Sequence, residues 1–263
     1  MHSSLFRAAA RSGAALVASL VFSLSAAHAF DHRGPRVETS AYASSFAQCP
    51  QFFAEGRPPV VQRQAQQREL CYEAFAVLHN GNTRTPLFVA QRLSRQSLQA
   101  NGGKRSDTFF ADARLPRSER AELEDYRRSG YSRGHMAPAG DMPSPTAMAQ
   151  SFSLANMVPQ NANHNSGAWA KIEQDTRRYI LRAQGDVYVI TGPVFSRTSP
   201  RIGPNGVAVP SHLYKLVYDA TSHRAWAHWQ ANQEGEKAGR PISYRELVER
   251  TGIDFLPHLR PQP

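Results

Sequence analysis

The segment NSGAWAKIEQDTRRYILRAQG, residues 165–185, carries the strongest helix pattern in the sequence. Small and apolar residues recur in it at intervals of three and four, which places them on one face of a helix. These positions are Ala168, Ile172, Thr176 and Tyr179. The glycine at position 185 then supplies a helix stop signal. We therefore predict a long amphipathic helix whose apolar face packs on the protein core.

Strand-like segments flank this helix on both sides. Before it, two such segments surround a Gly-Asn turn, which is typical of a β-hairpin, and after it three more are separated by turn residues. They cover residues 71–80, 81–93, 186–195, 207–219 and 224–232. Shorter helices are predicted within residues 116–130, 144–156 and 243–252. Strands of antiparallel type with inserted helices, and no regular strand–helix–strand alternation, predict an α+β fold.

The first 29 residues have the layout of a secretory signal peptide. Arg7 and Arg11 precede an uncharged apolar run over residues 14–26, and small residues at Ala27 and Ala29 offer a cleavage site. The run is shorter than the ~20 residues that a membrane-spanning helix needs. An uncleaved N-terminal anchor is the alternative. Cleavage predicts a mature protein with no membrane association, either periplasmic or secreted.

Beyond the leader, the chain is predicted to fold as one domain. Residues 30–45 are polar and aperiodic, which predicts a loose N-terminal lead-in. Residues 46–263 contain no internal repeat and no low-complexity linker, and their length suits a single core. Near their start lie Cys49 and Cys71. In an exported protein such an isolated pair predicts one structural disulfide rather than a zinc site.

Charge narrows the choice of partner without deciding it. The sequence contains 31 lysine and arginine residues against 21 aspartate and glutamate residues, a formal net charge of +10. Loss of the leader removes two arginines and leaves the mature chain basic. A basic exported protein suits a polyanion such as nucleic acid, an anionic envelope polymer or lipid headgroups. Many exported proteins are basic for no specific reason, so charge alone selects none of these.

Several common functional motifs are absent from the sequence. It contains no GxGxxG, GxxxxGK[ST] or HExxH pattern, so dinucleotide-binding, P-loop and zincin functions lack support. The side chains suited to catalysis concentrate between positions 105 and 177 instead. They are Arg105, Arg133, His135, Asn156, Asn165, Glu173 and Arg177.

Three of these residues share one side of the predicted helix. Residues spaced by four are each turned by ~40°, so Asn165, Glu173 and Arg177 lie within roughly one third of the circumference. An amide oxygen and a carboxylate placed in this way can hold a hard cation such as Mg²⁺, largely through water molecules. The alternative is an asparagine cap followed by a Glu–Arg pair on a solvated surface, worth ~0.3–0.5 kcal/mol.

The histidine in GYSRGHMAPAGDM, residues 130–142, could supply the base of such a site. If His135 faces a cation with arginines around it, it can take a proton from water while the arginines neutralise a phosphate. The charge of Arg133 would keep the imidazole neutral near pH 7. Gly134 would leave room for a substrate backbone. The alternative is a structural histidine beside a turn, which composition does not exclude.

Taken together, these motifs resemble a known family. The sequences YSRGHMAPAGD, residues 131–141, and LANMVPQNANHNSGAWAKIE, residues 154–173, resemble the signature of the DNA/RNA non-specific endonucleases, the sugar-non-specific ββα-metal nucleases. In that family Asp-Arg-Gly-His is followed by Asn-x-x-Pro-Gln, a second Asn and a Glu. The matching residues here are Asn156, Pro159, Gln160, Asn165 and Glu173. The resemblance covers most of residues 49–258 and implies a ββα-metal core on a largely antiparallel central sheet flanked by helices.

The resemblance implies a role for each matching residue. His135 corresponds to the general base, Asn165 to the one direct protein ligand of the metal, and Glu173 to the acid that orients metal-bound water. Asn156 belongs to the same motif and is taken as a supporting residue. The implied cofactor is Mg²⁺, with Mn²⁺ or another divalent cation as alternatives. A single neutral ligand implies loose binding, with much of the coordination left to water and substrate phosphate.

Three arginines complete the implied site. Arg177 resembles the arginine that contacts the phosphate or the transition state, and Arg133 the motif arginine that supports site geometry and phosphate binding. Arg105 resembles the upstream catalytic arginine. Lys104 and Arg114 are alternatives to it, because loop length varies in this region of the family.

One position departs from the family pattern. Ser132 stands where the motif usually has an aspartate, and a serine keeps a hydrogen-bonding group but no negative charge. This substitution puts in question whether His135 and the metal-bound waters are tuned as in the aspartate-bearing members.

The resemblance implies an exported Mg²⁺-dependent endonuclease. It would hydrolyse phosphodiester bonds of DNA and RNA with water activated by His135, leaving 5′-phosphate and 3′-hydroxyl ends. Its partners would be DNA and RNA, and a homodimer is compatible with the sequence. The alternative is a nucleic-acid or anionic-polymer binding protein on the same fold, catalytically weakened by loss of the motif aspartate.

Overall fold

The computed structural model of the protein describes residues 41–43, 45–100, 102–105 and 107–262. The predicted signal peptide and most of the predicted lead-in lie outside the described residues. Within these ranges no helix is both long and apolar enough to cross a membrane.

Thirteen strands occur in the described ranges, most of them short. In chain order they are β1 (Ala41–Ala43), β2 (Val60–Gln62), β3 (Gln67–Cys71), β4 (Ala76–Asn80), β5 (Thr85–Leu93), β6 (Tyr131–His135), β7 (Met157–Asn161), β8 (Val187–Val194), β9 (Arg201–Ile202), β10 (Val207–Ala208), β11 (His212–Asp219), β12 (Arg224–Ala231) and β13 (Ile242–Ser243). Strand β1 lies inside the segment predicted to be a loose lead-in, and it pairs with β2. Part of that segment is therefore a strand and not irregular.

Seven of these strands form one antiparallel sheet in the order β13-β12-β11-β8-β5-β4-β3. Its centre is the pair β8 and β11, which are in register from His212 opposite Val194 to Asp219 opposite Val187. Both strands are rich in β-branched and aromatic residues, which suit a pleated surface covered on both faces. The predicted hairpin is β4 and β5. The α+β class with a largely antiparallel sheet is confirmed.

Six α-helical segments accompany the strands in the part of the chain that the structure describes. They are α1 (Arg95–Gln99), α2 (Leu123–Tyr126), α3 (Pro145–Ser151), α4 (Ala162–His164), α5 (Ala170–Ile180) and α6 (Tyr244–Thr251), with one π-helical turn at Asn165–Trp169 between α4 and α5. Helix α3 begins as predicted, because the Ser144 hydroxyl accepts from the Ala147 amide and proline follows the cap. Helix α2 is only one turn long. The long helix ends at Ile180 rather than at the predicted stop, position 185.

The sheet separates two apolar clusters by the alternation of its side chains. Leu78, Phe88 and Leu216 point to one face and pack with α6. Val89 and Leu213 point to the other face, where they pack with residues of the π-helical turn and α5. We call this second side the site face, because it carries the predicted catalytic helix.

The predicted disulfide is present. Cys49 and Cys71 are bonded, with their Cα atoms 5.8 Å apart. The bridge ties the segment before β2 to the end of β3, and Cys49 is buried beside Phe46 and Phe53.

Candidate active site

The candidate site is built on a strand–strand–helix unit. Strands β6 and β7 pair antiparallel, with His135 opposite Met157, and β7 runs directly into α4, the π-helical turn and α5. The side chain of Asn161 caps the first turn by accepting a hydrogen bond from the His164 amide at 3.0 Å. His135 lies at the end of a strand, and not beside a turn as in the alternative structural interpretation.

Gly134 is required by protein packing rather than by substrate. A Cβ added at this position would lie 2.7 Å from the Cβ of Gln160, and closer still to the end of that side chain. The buried Gln160 amide therefore fills the space that sequence analysis assigned to the substrate backbone. Its Nε2 lies 3.1 Å from Nδ1 of His164, so the Gln160 side chain packs against β6 and also contacts α4.

We expect the substitution Gly134→Ala to destabilise the protein without removing any catalytic group. Overpacking of this kind costs about 1–3 kcal/mol, because β6 or Gln160 must move. For a protein of this size the melting temperature should fall by roughly 2–12 °C in a circular dichroism melt. Gly130→Ala is a comparison within the same stretch, since no atom lies within 4 Å of its Cβ position, although its positive φ of 81° adds local strain. Equal stability of Gly134→Ala and the wild type would contradict the packing argument.

The alternation of β6 places Ser132 away from the base. Arg133 and His135 point to one side of the strand, where both contact the Phe109 ring. Ser132 points to the other side with Gly134, towards β7 residue Gln160. The charge missing at Ser132 therefore does not act on His135 by direct contact.

Residues 130–134 also fit the GxSxG pattern of hydrolase nucleophile elbows. That pattern requires the serine on a sharp turn between a strand and a helix, with its hydroxyl exposed. Ser132 instead lies in the middle of β6, paired with Gln160 across the ladder. Its local structure does not support a nucleophilic role.

His135 is held between two aromatic rings. Its ring centroid lies 5.0 Å from that of Phe152 and 5.9 Å from that of Phe109. Burial, and secondly the charge of Arg105, lower the pKa of His135 to about 3. Its Nε2 is buried and has no hydrogen-bond partner among the described residues. The imidazole is thus neutral near pH 7, as predicted, but burial and Arg105 cause this rather than Arg133.

Two arginines lie beside this histidine. The guanidinium carbon of Arg105 is 5.1 Å from the centroid of Phe152, and that of Arg133 is 4.6 Å from the centroid of Phe109. Arg105 is exposed and pairs with Asp107 at 2.6 Å, whereas Arg133 forms no salt bridge within the described ranges. The two cations therefore flank the histidine on the rings that enclose it.

Arg114, an alternative to Arg105, is committed elsewhere. It binds both carboxylate oxygens of Asp112, at 2.9 Å and 2.7 Å, and donates to the Cys71 carbonyl. Its guanidinium also stacks on Tyr72. These contacts leave Arg105 as the better candidate for a phosphate-binding arginine.

Asn156 fixes the chain that follows the histidine. It is fully buried, donates to the carbonyls of Ala137 and Ser151 at 2.9 Å, and accepts from the Ala137 amide at 2.9 Å. Its backbone carbonyl also accepts from the Met136 amide. Asn156 therefore holds the segment after His135 in place, an arrangement compatible with the supporting role predicted for it.

The π-helical turn changes the geometry predicted for Asn165 and Glu173. In a regular α-helix, residues eight apart differ by ~80° in direction. A π-helical turn contains more residues, so each one advances by less than in an α-helix. The turn therefore reduces the angle about the helix axis between the two side chains, so that they point in more similar directions. Single π-helical turns are frequent at functional sites.

Asn165 and Glu173 are the available oxygen donors. The half-buried Asn165 amide forms no side-chain hydrogen bond with another described residue. Burial raises the pKa of Glu173 to about 7, partly offset by the charge of Lys215. A carboxylate and a free amide oxygen on the same helical segment fit a hard cation. The described residues contain no group of three His, Cys, Asp or Glu side chains suited to a metal, so water and substrate would have to complete its coordination.

Arg177 has a partner that sequence analysis missed. It donates to Oδ1 of Asp141 at 3.0 Å, and Asp141 is buried. The alternative interpretation, a solvated pair between Glu173 and Arg177, is therefore not supported, because Arg177 pairs with the end of the motif YSRGHMAPAGD. The two residues are 36 positions apart, so helical spacing gave no signal for it.

A second missed residue lies under the helix. Lys215 on β11 shares the site face with Leu213 and is almost fully buried. Burial lowers the pKa of Lys215, while the charges of Glu173 and Asp141 act in the opposite direction. A charged residue inside an otherwise apolar strand was the available sequence signal.

Known nucleases are similar to this chain in sequence. Nuclease EXOG, mitochondrial, from Homo sapiens is 34% identical over 213 residues, which are 72% of this chain and 57% of that protein. Nuclease C1 from Cunninghamella echinulata var. echinulata is 36% identical over 158 residues, 55% of this chain and 62% of that protein. The chain thus spans little more than half the length of such relatives.

A solved structure of an EndoG/EndoGI complex contains a chain of similar fold. It superposes with a TM-score of 0.69 and 26% identity, covering 84% of this chain and 95% of that chain. Residues 55–262 match the family model described as DNA/RNA non-specific endonuclease. With its ββα unit and the matching motif residues in place, this chain belongs to the DNA/RNA non-specific endonuclease family.

Proposed function

We propose that this protein is an exported, metal-dependent endonuclease that hydrolyses phosphodiester bonds of both DNA and RNA. The observation that carries the proposal is His135, a neutral imidazole with an unpaired Nε2 in the same ββα unit as the free Asn165 amide. A base, an oxygen donor and nearby arginines are the groups that phosphodiester hydrolysis requires.

The residues divide the chemistry between them. The imidazole of His135 accepts a proton from the attacking water, because burial and Arg105 keep the ring neutral. Arg105 and Arg133 neutralise the phosphate. When bound at Asn165 and, through water, at Glu173, a divalent cation would stabilise negative charge on the leaving oxygen. Departure of the 3′ oxygen gives 5′-phosphate and 3′-hydroxyl ends. Since water attacks, no 2′-hydroxyl is needed.

Mg²⁺ is the proposed cofactor, because amide and carboxylate oxygens with much retained water suit this ion. Mn²⁺ and other divalent cations prefer similar ligands and are alternatives. The net charge of +10 supports binding to the nucleic-acid backbone, which should weaken as salt is raised.

Digestion of matched DNA and RNA substrates tests the proposal. Wild-type protein should cleave both a closed circular plasmid and a single-stranded RNA with Mg²⁺ and stop when EDTA is added. End-labelling of the products should find 5′-phosphates. If the wild type retards both nucleic acids in a gel but cleaves neither with Mg²⁺, Mn²⁺ or Co²⁺, the protein is the binding protein of the alternative function.

Export is proposed from the signal-like leader and the Cys49–Cys71 bridge, which suits an oxidising compartment. Some relatives carry the word mitochondrial in their names. Expression of the full chain in a bacterial host, with mass spectrometry of the purified protein, should find an N-terminus at Phe30. An intact leader in the membrane fraction would indicate the anchor instead.

Light scattering of the mature protein would show whether it forms the homodimer.

We also expect His135 to remain neutral across the physiological pH range. Its pKa of about 3 lies below the ordinary histidine value of 6.5, so the metal-free protein should not protonate it between pH 5 and pH 8. In NMR titrations its Cε1–H resonance, assigned by comparison with His135→Ala, should stay constant over this range. A midpoint near pH 6.5 would show that the imidazole is solvated rather than enclosed by Phe109 and Phe152.

A further inference from the structure

Lys215 lies in a row of polar residues on the site face. The neighbours of Lys215 in the sheet register are Thr191 on β8 and His228 on β12. Along β11 it alternates with Tyr214 and Leu216, which point to the opposite face. The row therefore crosses the sheet beneath the helix that carries Asn165 and Glu173.

The amino group of Lys215 has two direct contacts. It donates to the Thr191 hydroxyl at 2.8 Å, and it lies 5.5 Å from the centroid of the Trp169 ring. Trp169 is 1% exposed, so this contact is shielded from water. Shielded contacts between a cation and an indole are stronger than exposed ones.

Trp169 connects Lys215 to the proposed metal site. It is the last residue of the π-helical turn Asn165–Trp169, four residues after Asn165 and four before Glu173. The rotation of this turn sets the angle about the helix axis between the side chains of Asn165 and Glu173. Trp169 is consequently the point at which the sheet can fix that rotation.

We propose that Lys215 is a positioning residue, which anchors Trp169 to the sheet and so holds the π-helical turn that aligns Asn165 and Glu173 for a divalent cation. The inference rests on the proposed metal-dependent function. Lys215 itself touches neither the metal nor the substrate, and it acts through Trp169.

Stability alone does not account for this lysine. A buried amino group loses its hydration, and replacing buried charged groups with apolar ones of similar volume is often neutral or stabilising. Asp141, a charged residue near Lys215, already forms a salt bridge with Arg177. Direct repulsion between Lys215 and a divalent cation would have the opposite sign. The attraction between Lys215 and Glu173 is separated from positioning by a substitution at Thr191, which leaves both charges in place.

Two substitutions test the proposal. Lys215→Met removes the amino group at similar length, and Thr191→Val removes only its hydrogen-bond acceptor. Mn²⁺ binding, followed by the EPR signal of the free ion, measures the site without requiring catalysis. Lys171→Met is the matched control. Lys171 is an exposed lysine on α5, the helix that carries Glu173, and it pairs with Asp175.

We expect Lys215→Met to bind Mn²⁺ about 10–100-fold more weakly, in the range found when groups that orient metal ligands are removed. Thr191→Val should weaken binding in the same direction, and Lys171→Met should match the wild type. The melting temperature of Lys215→Met should not fall. In 5-fluorotryptophan-labelled protein, the ¹⁹F resonance of Trp169 should shift in both variants.

Unchanged or tighter Mn²⁺ binding by Lys215→Met would overturn the proposal, and tighter binding would indicate simple charge repulsion. If Lys215→Met does not fold, Thr191→Val decides: normal Mn²⁺ binding by that variant would also overturn it. Failure of the proposed function is seen separately, as a wild type that binds Mn²⁺ but cleaves no nucleic acid.

Discussion

Replacing His135 with alanine should lower kcat/KM for plasmid cleavage by about 10²–10⁴-fold, the usual contribution of a general base. The side chain lies between Phe109 and Phe152 and forms no hydrogen bond through Nε2, so its loss removes the proton acceptor without breaking a polar network. The measurement is an initial-rate assay on plasmid DNA and on RNA at saturating Mg²⁺, combined with a circular dichroism melt.

His258→Asn is the matched control for this variant. His258 is exposed and has a positive φ of 69°, which asparagine tolerates better than most residues. We expect the control to cleave at the wild-type rate. If His135→Ala stays folded and keeps its activity within a few-fold of wild type, His135 is not the base.

Replacing Glu173 with glutamine should lower activity by about 10–100-fold at a fixed Mg²⁺ concentration. Glutamine keeps the shape of the side chain but loses the charge that orients metal-bound water. Raising the Mg²⁺ concentration should restore part of the activity, because weaker metal binding is part of the defect. The variant should not lose stability, since burial raises the pKa of this carboxyl to about 7 and a neutral side chain removes that penalty.

Glu249→Gln, on the exposed side of α6, provides the corresponding control. Titration of initial rate against Mg²⁺ for both variants separates metal binding from the chemical step. An unchanged half-saturating concentration of Mg²⁺ together with unchanged activity in Glu173→Gln would remove Glu173 from the site.

Much of the fold could be predicted because its signals are local. The hairpin β4–β5, the strands β8, β11 and β12 and the capped helix α3 follow from alternation, turn residues and a Ser-Pro start. The β6 strand was missed, because Gly134 and the prolines that follow resemble a loop. Its strand conformation depends on pairing with β7, more than twenty residues later in the chain.

The site was predicted at the level of residue types. The spacing of His135, Asn165 and Glu173 identified the unit, but the reason for their environment required contacts between distant segments. Burial between two phenylalanines, and not Arg133, dominates the pKa of His135. The serine at position 132 put the tuning of His135 in question, yet strand alternation turns its side chain away from the base.

The sequence by itself determined the α+β class, the Cys49–Cys71 pair and the family, since each depends on residue identity and spacing along the chain. Only the tertiary structure decided that Arg114 is committed to Asp112 and that Gly134 makes room for Gln160. It also revealed the π-helical turn and the contact between Lys215 and Thr191, 24 residues apart. The physical reason is that burial and charge act through space, whereas sequence patterns report only neighbours along the chain.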